Sequence, residues 1–166
     1  MRRVLFLALA ITALCARPVL AATADMSVTA TFRTPTSVAI NAASDMLFGV
    51  YNPLAPVNLD TSSTINITSS PAGRTYEIFA SLGNNPAGAQ RRMSRISPPA
   101  SINYDLFWDS IRTVPVLSSA GMAGARVLNT TGGAADVTLY GRIVPSQSAP
   151  DGDYADMVTV FVFYTP

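Results

Sequence analysis

The apolar residues of this chain recur with a period of two, which predicts β-strands rather than helices. The most regular alternation covers residues 26–33, where every second residue is apolar and the residues between are polar. The apolar face of this predicted strand carries Met26, Val28, Ala30 and Phe32. Pro35 then interrupts the pattern, because proline cannot donate a hydrogen bond to a neighbouring strand.

Seven further strands are predicted by short alternating or apolar runs that are bounded by Gly, Pro, Asn and Ser. They cover Ser37–Ile40, Met46–Val50, Ser63–Thr68, Thr75–Leu82, Ile102–Trp108, Ala135–Ile143 and Met157–Tyr164. Residues 112–126 contain one proline and two glycines and are expected to form a loop or a short irregular strand. With no convincing amphipathic helix, the pattern predicts a single all-β sandwich domain.

The last predicted strand is apolar on both faces. One face carries Val158, Val160, Val162 and Tyr164, and the other carries Met157, Phe161 and Phe163. Such a strand is expected inside a sheet, covered on both faces and paired on both edges, yet nothing after it could supply a partner strand. The regular N-terminal strand is suited to that vacancy in another copy of the protein. The alternative is that it pairs within its own domain as an ordinary first strand.

The first 21 residues have the pattern of a secretory signal. Arg2 and Arg3 precede an apolar core over Val4–Leu14, and residues 19–21 offer a cleavage site. Cys15 is a weak lipidation candidate, because the residue immediately before it is not small. Three of the eleven basic residues lie in this segment, which leaves eight arginines against ten acids and a formal charge of −2. That charge disfavours nucleic acid as a partner.

The residue types of the mature chain disfavour catalysis. It has no His, Lys or Cys, so the commonest general base and the most readily activated nucleophiles are missing. A hydrolase built on two carboxylates stays open as an alternative, although most acids lie in turn-like contexts. We expect no metal site, no cofactor and no small-molecule substrate.

A set of short motifs, taken in order, resembles the spore coat protein U family, whose members include subunits of archaic chaperone-usher pili. They are Leu47–Tyr51, Ile65–Thr68, Tyr76–Gly83 leading to Arg92-Met93, Ile102–Asp109, Leu139–Ile143 with Gln147, and Gly152–Asp156. The resemblance implies an immunoglobulin-like β-sandwich that lacks its last strand. A periplasmic chaperone, and later the N-terminal strand of the next subunit, would complete it by donor-strand complementation.

The resemblance also implies a division of the chain into a signal peptide (1–21), a donor-strand extension (22–34) and a pilin-like domain (35–166). The donor residues would be Met26, Val28, Ala30 and Phe32, and the acceptor groove would be flanked by Val158, Val160, Val162 and Tyr164. The implied partners are neighbouring pilus subunits, a periplasmic pilus chaperone and an outer-membrane usher. The implied location is the periplasm in transit and then a surface pilus that serves adhesion and biofilm formation.

One departure from the family concerns its usual cysteine pair. Thr36-Ser37 and Ser69-Ser70 occupy the two neighbourhoods where the family carries cysteines, so this chain would do without a bridge that closes a loop of about thirty residues.

Several aromatic and basic residues have competing interpretations. Trp108 is expected in the core, while the alternative of a self-contained, lectin-like binding module would use it, or the tyrosines, to bind a carbohydrate. Tyr154 is expected to tie a loop, as the corner tyrosine of immunoglobulin folds does. Arg91, Arg92 and Arg95 are expected in a solvated loop, or else against acidic residues of a neighbouring subunit.

Overall fold

A computed structural model describes residues 22–32, 37–70, 73, 75–96, 98–119, 126–129 and 133–164 of the chain. The predicted signal peptide with Cys15 lies outside these residues. The described residues form ten strands: β1 (Ala22–Phe32), β2 (Ser37–Ala43), β3 (Met46–Tyr51), β4 (Leu59–Ser70), β5 (Thr75–Ala80), β6 (Arg91–Arg95), β7 (Ala100–Phe107), β8 (Arg126–Asn129), β9 (Ala134–Ile143) and β10 (Asp153–Tyr164). They confirm the predicted all-β, immunoglobulin-like sandwich.

The strands form two facing layers. Hydrogen bonds link them in the order β2-β4-β9-β7-β6-β10-β1-β3, and β5 and β8 extend from the free part of β10. The layers are joined where β7 changes partner, since its first half pairs with β6 and its last three residues pair with β9. Among the described residues, no helix is long and apolar enough to cross a membrane.

The core lies between the two layers and follows the period of two seen in the sequence. From one layer come Ile65, Ile67, Val137 and Leu139, and from the other come Met26, Met46, Ile78, Val158 and Val160, all fully buried. Each of these strands therefore buries alternate residues, because successive side chains point to opposite faces of a sheet.

The strand registers fix two ends of the domain, which we call the lower and upper ends. The lower end is where β10 begins at Asp153, and the upper end is where β10 finishes at Tyr164. β1 runs upward beside β10. β2 starts at the upper end, with Ser37 opposite Ser70, and the chain then descends through β3 to Tyr51 at the lower end.

All eight predicted strands are present, and two strands were missed. β6 was expected to be a solvated loop, and this expectation is wrong because Arg91 is buried. Its guanidinium donates hydrogen bonds to the carbonyls of Ala80, Ser81 and Val116 at 2.8, 2.9 and 3.1 Å. β8 begins at Arg126, the last residue of the stretch that was expected to be a loop or a short irregular strand, and its four residues are too few for a clear pattern.

The last strand departs from expectation on one face only. Its inner residues Val158, Val160 and Val162 are buried, while Met157 and Phe163 on the outer face are 41% and 38% exposed. The expectation that both faces are covered is therefore wrong. Phe79 lies against this outer face, with its ring 4.8 Å from that of Phe161, and thereby shields part of it.

Candidate functional site: the groove between β3 and β10

The candidate site is the groove between β3 and β10, which β1 of the same chain fills. β1 runs parallel to β10 over ten residue pairs, from Thr23 opposite Asp153 to Phe32 opposite Val162. Its other edge pairs antiparallel with β3, from Ala22 opposite Tyr51 to Met26 opposite Met46. The edge of β10 that lacked a partner in the sequence is therefore paired within its own chain.

The register sets the predicted donor residues opposite the predicted acceptor residues. Val28 pairs with Val158, Ala30 with Val160, Phe32 with Val162, and Met26 with Asp156. Tyr164 has no partner in β1 and pairs instead with Tyr76 of β5. The side chains of Val28, Ala30, Phe32 and Tyr164 lie outside the described part of the structure, whereas those of Met26, Val158, Val160 and Val162 are buried in the core.

The parallel direction of β1 follows from the length of the chain that joins it to β2. Phe32 and Ser37 are five residues apart and so at most about 17 Å apart. Ser37 lies at the upper end, opposite Ser70. An antiparallel β1 would end at the lower end, roughly 30 Å from where it ends now, and the connection could not reach. Within one chain, β1 therefore fits the groove in only one direction.

The β3 wall of the groove depends on a glycine in the opposite layer. A Cβ added at Gly141 of β9 would lie 2.4 Å from the sulfur of Met46 and 2.6 Å from the ring of Phe48, so β3 approaches β9 closely only because this side chain is absent. The outer edge of β3 is fixed as well, since the Thr61 hydroxyl donates to the Leu47 carbonyl at 2.8 Å.

The β10 wall is held from its far edge by the chain that leaves β5. The Ser81 amide donates to the Thr159 carbonyl at 2.8 Å, and the Thr159 amide donates to the Ser81 hydroxyl at 2.9 Å. The buried guanidinium of Arg91 fixes the same segment through the carbonyls of Ala80 and Ser81. β10 thus presents a supported edge to β1.

A buried carboxylate ties the lower half of β10 to the loop after β5. Asp156 accepts a hydrogen bond from the Tyr104 hydroxyl at 2.6 Å and another from the Asn84 amide at 2.8 Å. Gly83 makes room for it, since a Cβ there would lie 1.8 Å from a carboxylate oxygen. Burial, reinforced by the hydrogen bond to Asp156, raises the pKa of Tyr104 far above its ordinary value, so this phenol stays neutral and serves as a donor.

Two acidic residues, Asp60 and Asp109, have structural partners. Asp60 lies between two arginines, with Arg142 Nε at 2.8 Å and Arg112 Nη1 at 3.3 Å from its oxygens. Asp109 accepts from the amides of Thr113 and Val114 and so fixes its own turn, as expected of a turn carboxylate. Within the described ranges, no three residues of the His, Cys, Asp and Glu types cluster as metal ligands do.

Trp108, one of the residues that the lectin-like alternative would use, is not available to a sugar. Trp108 is 5% exposed, which confirms its predicted place in the core, and Arg126 lies over its ring at 5.4 Å. The Tyr154 hydroxyl donates to the Pro150 carbonyl at 2.7 Å and so ties the loop before β10, as predicted.

Comparisons with known proteins agree with the resemblance read from the sequence. The profile of the Spore Coat Protein U domain family matches residues 22–161. No curated protein matched this sequence significantly.

Solved structures similar to this chain include two pilus proteins. One is the CsuC–CsuE chaperone–tip adhesion subunit pre-assembly complex from archaic chaperone-usher Csu pili of Acinetobacter baumannii, at 17% identity and a TM-score of 0.49, over 78% of this chain and 39% of that chain. Another is the E. coli Hda pilus minor tip subunit HdaB, at 12% identity and a TM-score of 0.37, over 76% of this chain and 79% of that chain. This chain thus spans well under half of the first of these two chains.

Proposed function

The chain belongs to the spore coat protein U domain family, and on that premise we propose that it is a structural subunit of a surface pilus assembled by donor-strand exchange, and not an enzyme. In this proposal Met26, Val28, Ala30 and Phe32 of one subunit fill the groove beside Val158, Val160, Val162 and Tyr164 of the next. Main-chain hydrogen bonds would supply affinity, and the alternating apolar side chains would set the register.

The observation that supports the proposal is the position of β1, which lies between β3 and β10 and pairs with both strands. β10 and β3 each pair with β1 and not with each other. Withdrawal of β1 would leave the main chain of both walls unpaired and a hole in the core at Met26, which is fully buried. A domain with such a gap is expected to be unstable alone and to accept a matching strand from elsewhere.

The direction of the strand is expected to reverse when it enters another subunit. If it entered parallel, as in its own chain, donor and acceptor would meet at their upper ends, and the upper end of every subunit would have to accommodate two neighbours. Antiparallel insertion instead joins the upper end of the donor to the lower end of the acceptor. Each end is then used once, so the contact is heterologous and extends into a linear fibre. Antiparallel pairs are also slightly more stable per residue than parallel pairs.

The route to the surface is part of the proposal. A subunit with an open groove exposes an apolar cleft, so a periplasmic chaperone would occupy the groove until an outer-membrane usher passes the subunit into the fibre. The residues 1–21 would direct export, and the assembled fibre would serve adhesion and biofilm formation.

The experiment that tests the proposal measures thermal unfolding of three proteins. One carries residues 22–166, one starts at residue 35, and one starts at residue 35 and carries residues 25–34 on a flexible linker after Pro166. The linker leaves the upper end of β10, so the grafted strand enters the groove in the antiparallel direction that we propose for the fibre.

We expect the protein that starts at residue 35 to aggregate or to unfold at a low temperature, and we expect the graft to restore a stable monomer. The proposal fails if the domain that starts at residue 35 is already as stable as the chain 22–166 and the graft changes nothing, since the sandwich would then be complete without β1.

A further inference from the structure

The lower end of the domain carries a concentration of exposed apolar side chains, which we call the apolar cap. It consists of Leu54, Val57, Ile96 and Val144, which are 90%, 66%, 93% and 42% exposed. All four lie beyond strand ends at the lower end, in the loops that follow β3, β6 and β9. These four exposed side chains share one end of the domain, and large exposed apolar residues favour a contact surface there.

Two of the three loops that carry the apolar cap, those after β3 and β9, are held in place by side-chain hydrogen bonds. The Tyr51 hydroxyl accepts from the Gln147 amide at 2.8 Å and donates to the Val144 carbonyl at 3.2 Å. The Gln147 side chain in turn pairs with both main-chain groups of Asn103, at 2.7 and 2.9 Å. The Asn52 side chain accepts from the Leu54 amide at 2.9 Å. A surface fixed beforehand loses little entropy when a partner binds.

The groove ends beside this surface. Ala22 and Thr23 pair with Tyr51 and Val50 at the lower end of β3, and Thr23 also pairs with Asp153 at the start of β10. A strand that enters antiparallel therefore leaves the groove at the apolar cap. Its own domain then begins within about 17 Å, because only five residue steps separate Phe32 from Ser37.

We propose that the apolar cap binds the upper end of the donating subunit, so that two copies of this chain contact each other at a second surface besides the groove. This inference rests on the proposed function. The occupant is another copy because the short connection brings the upper end of the donor to this surface whenever its strand is in the groove. The second contact would limit rotation of each subunit about its donor strand and would slow the release of that strand.

A cysteine cross-link tests the contact in the full chain, expressed in its native host. Cys15 is the one cysteine of the sequence and lies in the proposed signal peptide, so introduced cysteines would be the only thiols of the exported chain. Leu54→Cys labels the lower end, and Ala134→Cys labels an exposed residue at the upper end, where β9 begins. These residues lie at opposite ends of one chain, so a bismaleimide reagent can join them only between two copies.

We expect the double variant Leu54→Cys with Ala134→Cys to give a covalent ladder of multimers after boiling in detergent, when surface material is treated with the reagent. The matched control carries Ile111→Cys with Ala134→Cys, because Ile111 is 75% exposed and its neighbour Arg112 donates to the Thr61 carbonyl on β4. The control is expected to stay monomeric after boiling. In a separate strain, Leu54→Asp with Ile96→Asp is expected to reduce the multimers that survive gentle warming in detergent about tenfold, a loss that corresponds to roughly 1.4 kcal/mol.

The outcomes separate this inference from the proposed function. If unboiled surface material forms a ladder but the Leu54 and Ala134 pair cross-links no better than the Ile111 control, the fibre exists and the second contact is wrong. If Ala134→Cys alone cross-links as strongly as the pair, the upper ends meet each other and the contact is again wrong. If the unsubstituted chain gives no multimers before boiling, the proposed function fails and the contact fails with it.

Discussion

Truncation of Met26 to alanine tests whether β1 is an integral part of the core. Met26 is fully buried opposite Met46, and Met46 in turn lies against Gly141 of the other layer. Met26→Ala removes three heavy atoms and leaves a cavity that the close approach of β3 and β9 keeps from collapsing. Substitutions of this kind cost about 2–5 kcal/mol.

The expected effect is large enough to measure by thermal unfolding. For a domain of this size, 1 kcal/mol lowers the Tm by about 3 °C, so Met26→Ala should lower it by about 6–15 °C. The matched control is Ser27→Ala in the same strand. Ser27 is half-buried and opposite Met157, and its substitution should change the free energy of unfolding by less than about 0.5 kcal/mol.

The assay is urea and thermal unfolding of the gel-filtered monomer that carries residues 22–166. The slope of the urea transition should not change, because both variants expose the same surface on unfolding. If Met26→Ala and Ser27→Ala unfold at the same temperature, β1 does not contribute to the core, and the groove is either open or filled by another part of the chain.

Three further predictions concern the rest of the domain. Ser37→Cys with Ser70→Cys should form the family's missing bridge, since these residues are paired across β2 and β4, and should raise stability by about 3.8 kcal/mol, reversed by dithiothreitol. Gly83→Ala, which meets Asp156, should lower the Tm well below that of Gly88→Ala, where a Cβ meets nothing; both glycines have positive φ. Asp60→Asn should cost under about 1 kcal/mol at pH 7 and progressively less as the pH falls into the acid range, measured by urea unfolding.

The sign of the pH effect at Asp60 follows from its partners. The hydrogen bond from Arg142, together with the charges of Arg112 and Arg142, lowers the pKa of Asp60 below its ordinary value. A lowered folded-state pKa contributes stability above the unfolded-state pKa, and this contribution is lost as the pH falls through the folded-state pKa. A difference between Asp60→Asn and the unsubstituted chain that does not shrink as the pH falls would contradict this account.

The sequence was sufficient to predict the strands whose alternate residues are apolar, because a period of two is typical of a half-buried sheet. It also placed Trp108 in the core, since Trp108 belongs to such an alternation, and Tyr154 at a corner, since Tyr154 follows Gly152 just before the last predicted strand. It could not reveal β6, because Arg91 occupies an inward position and its burial is compensated by three carbonyls that are distant in sequence.

The candidate site was predictable in its parts but not in its arrangement. Alternation identified β1 as a strand, and the apolar residues on both faces of β10 indicated that β10 needs a partner. Neither pattern shows whether two strands meet within one chain or between chains. The parallel direction depends on where β2 begins, and the glycines that shape the groove act across the two layers. The contacts of Gly141 with β3 and of Gly83 with Asp156 join residues more than seventy positions apart, beyond the range of any local pattern.

The closed chain also gives a physical reason for a chaperone in the proposed assembly. A strand tethered by a few residues meets its own groove at an effective concentration in the millimolar range, whereas another subunit's strand would be present at micromolar concentrations or below. Insertion of β1 into its own groove would therefore be favoured over strand exchange by about a thousandfold, unless the groove is already occupied when the subunit folds. A chaperone that fills the groove first removes this advantage. The exchanged strand is then stabilised by antiparallel pairing and, in our inference, by the contact at the apolar cap. Neither contribution is available when β1 fills its own groove.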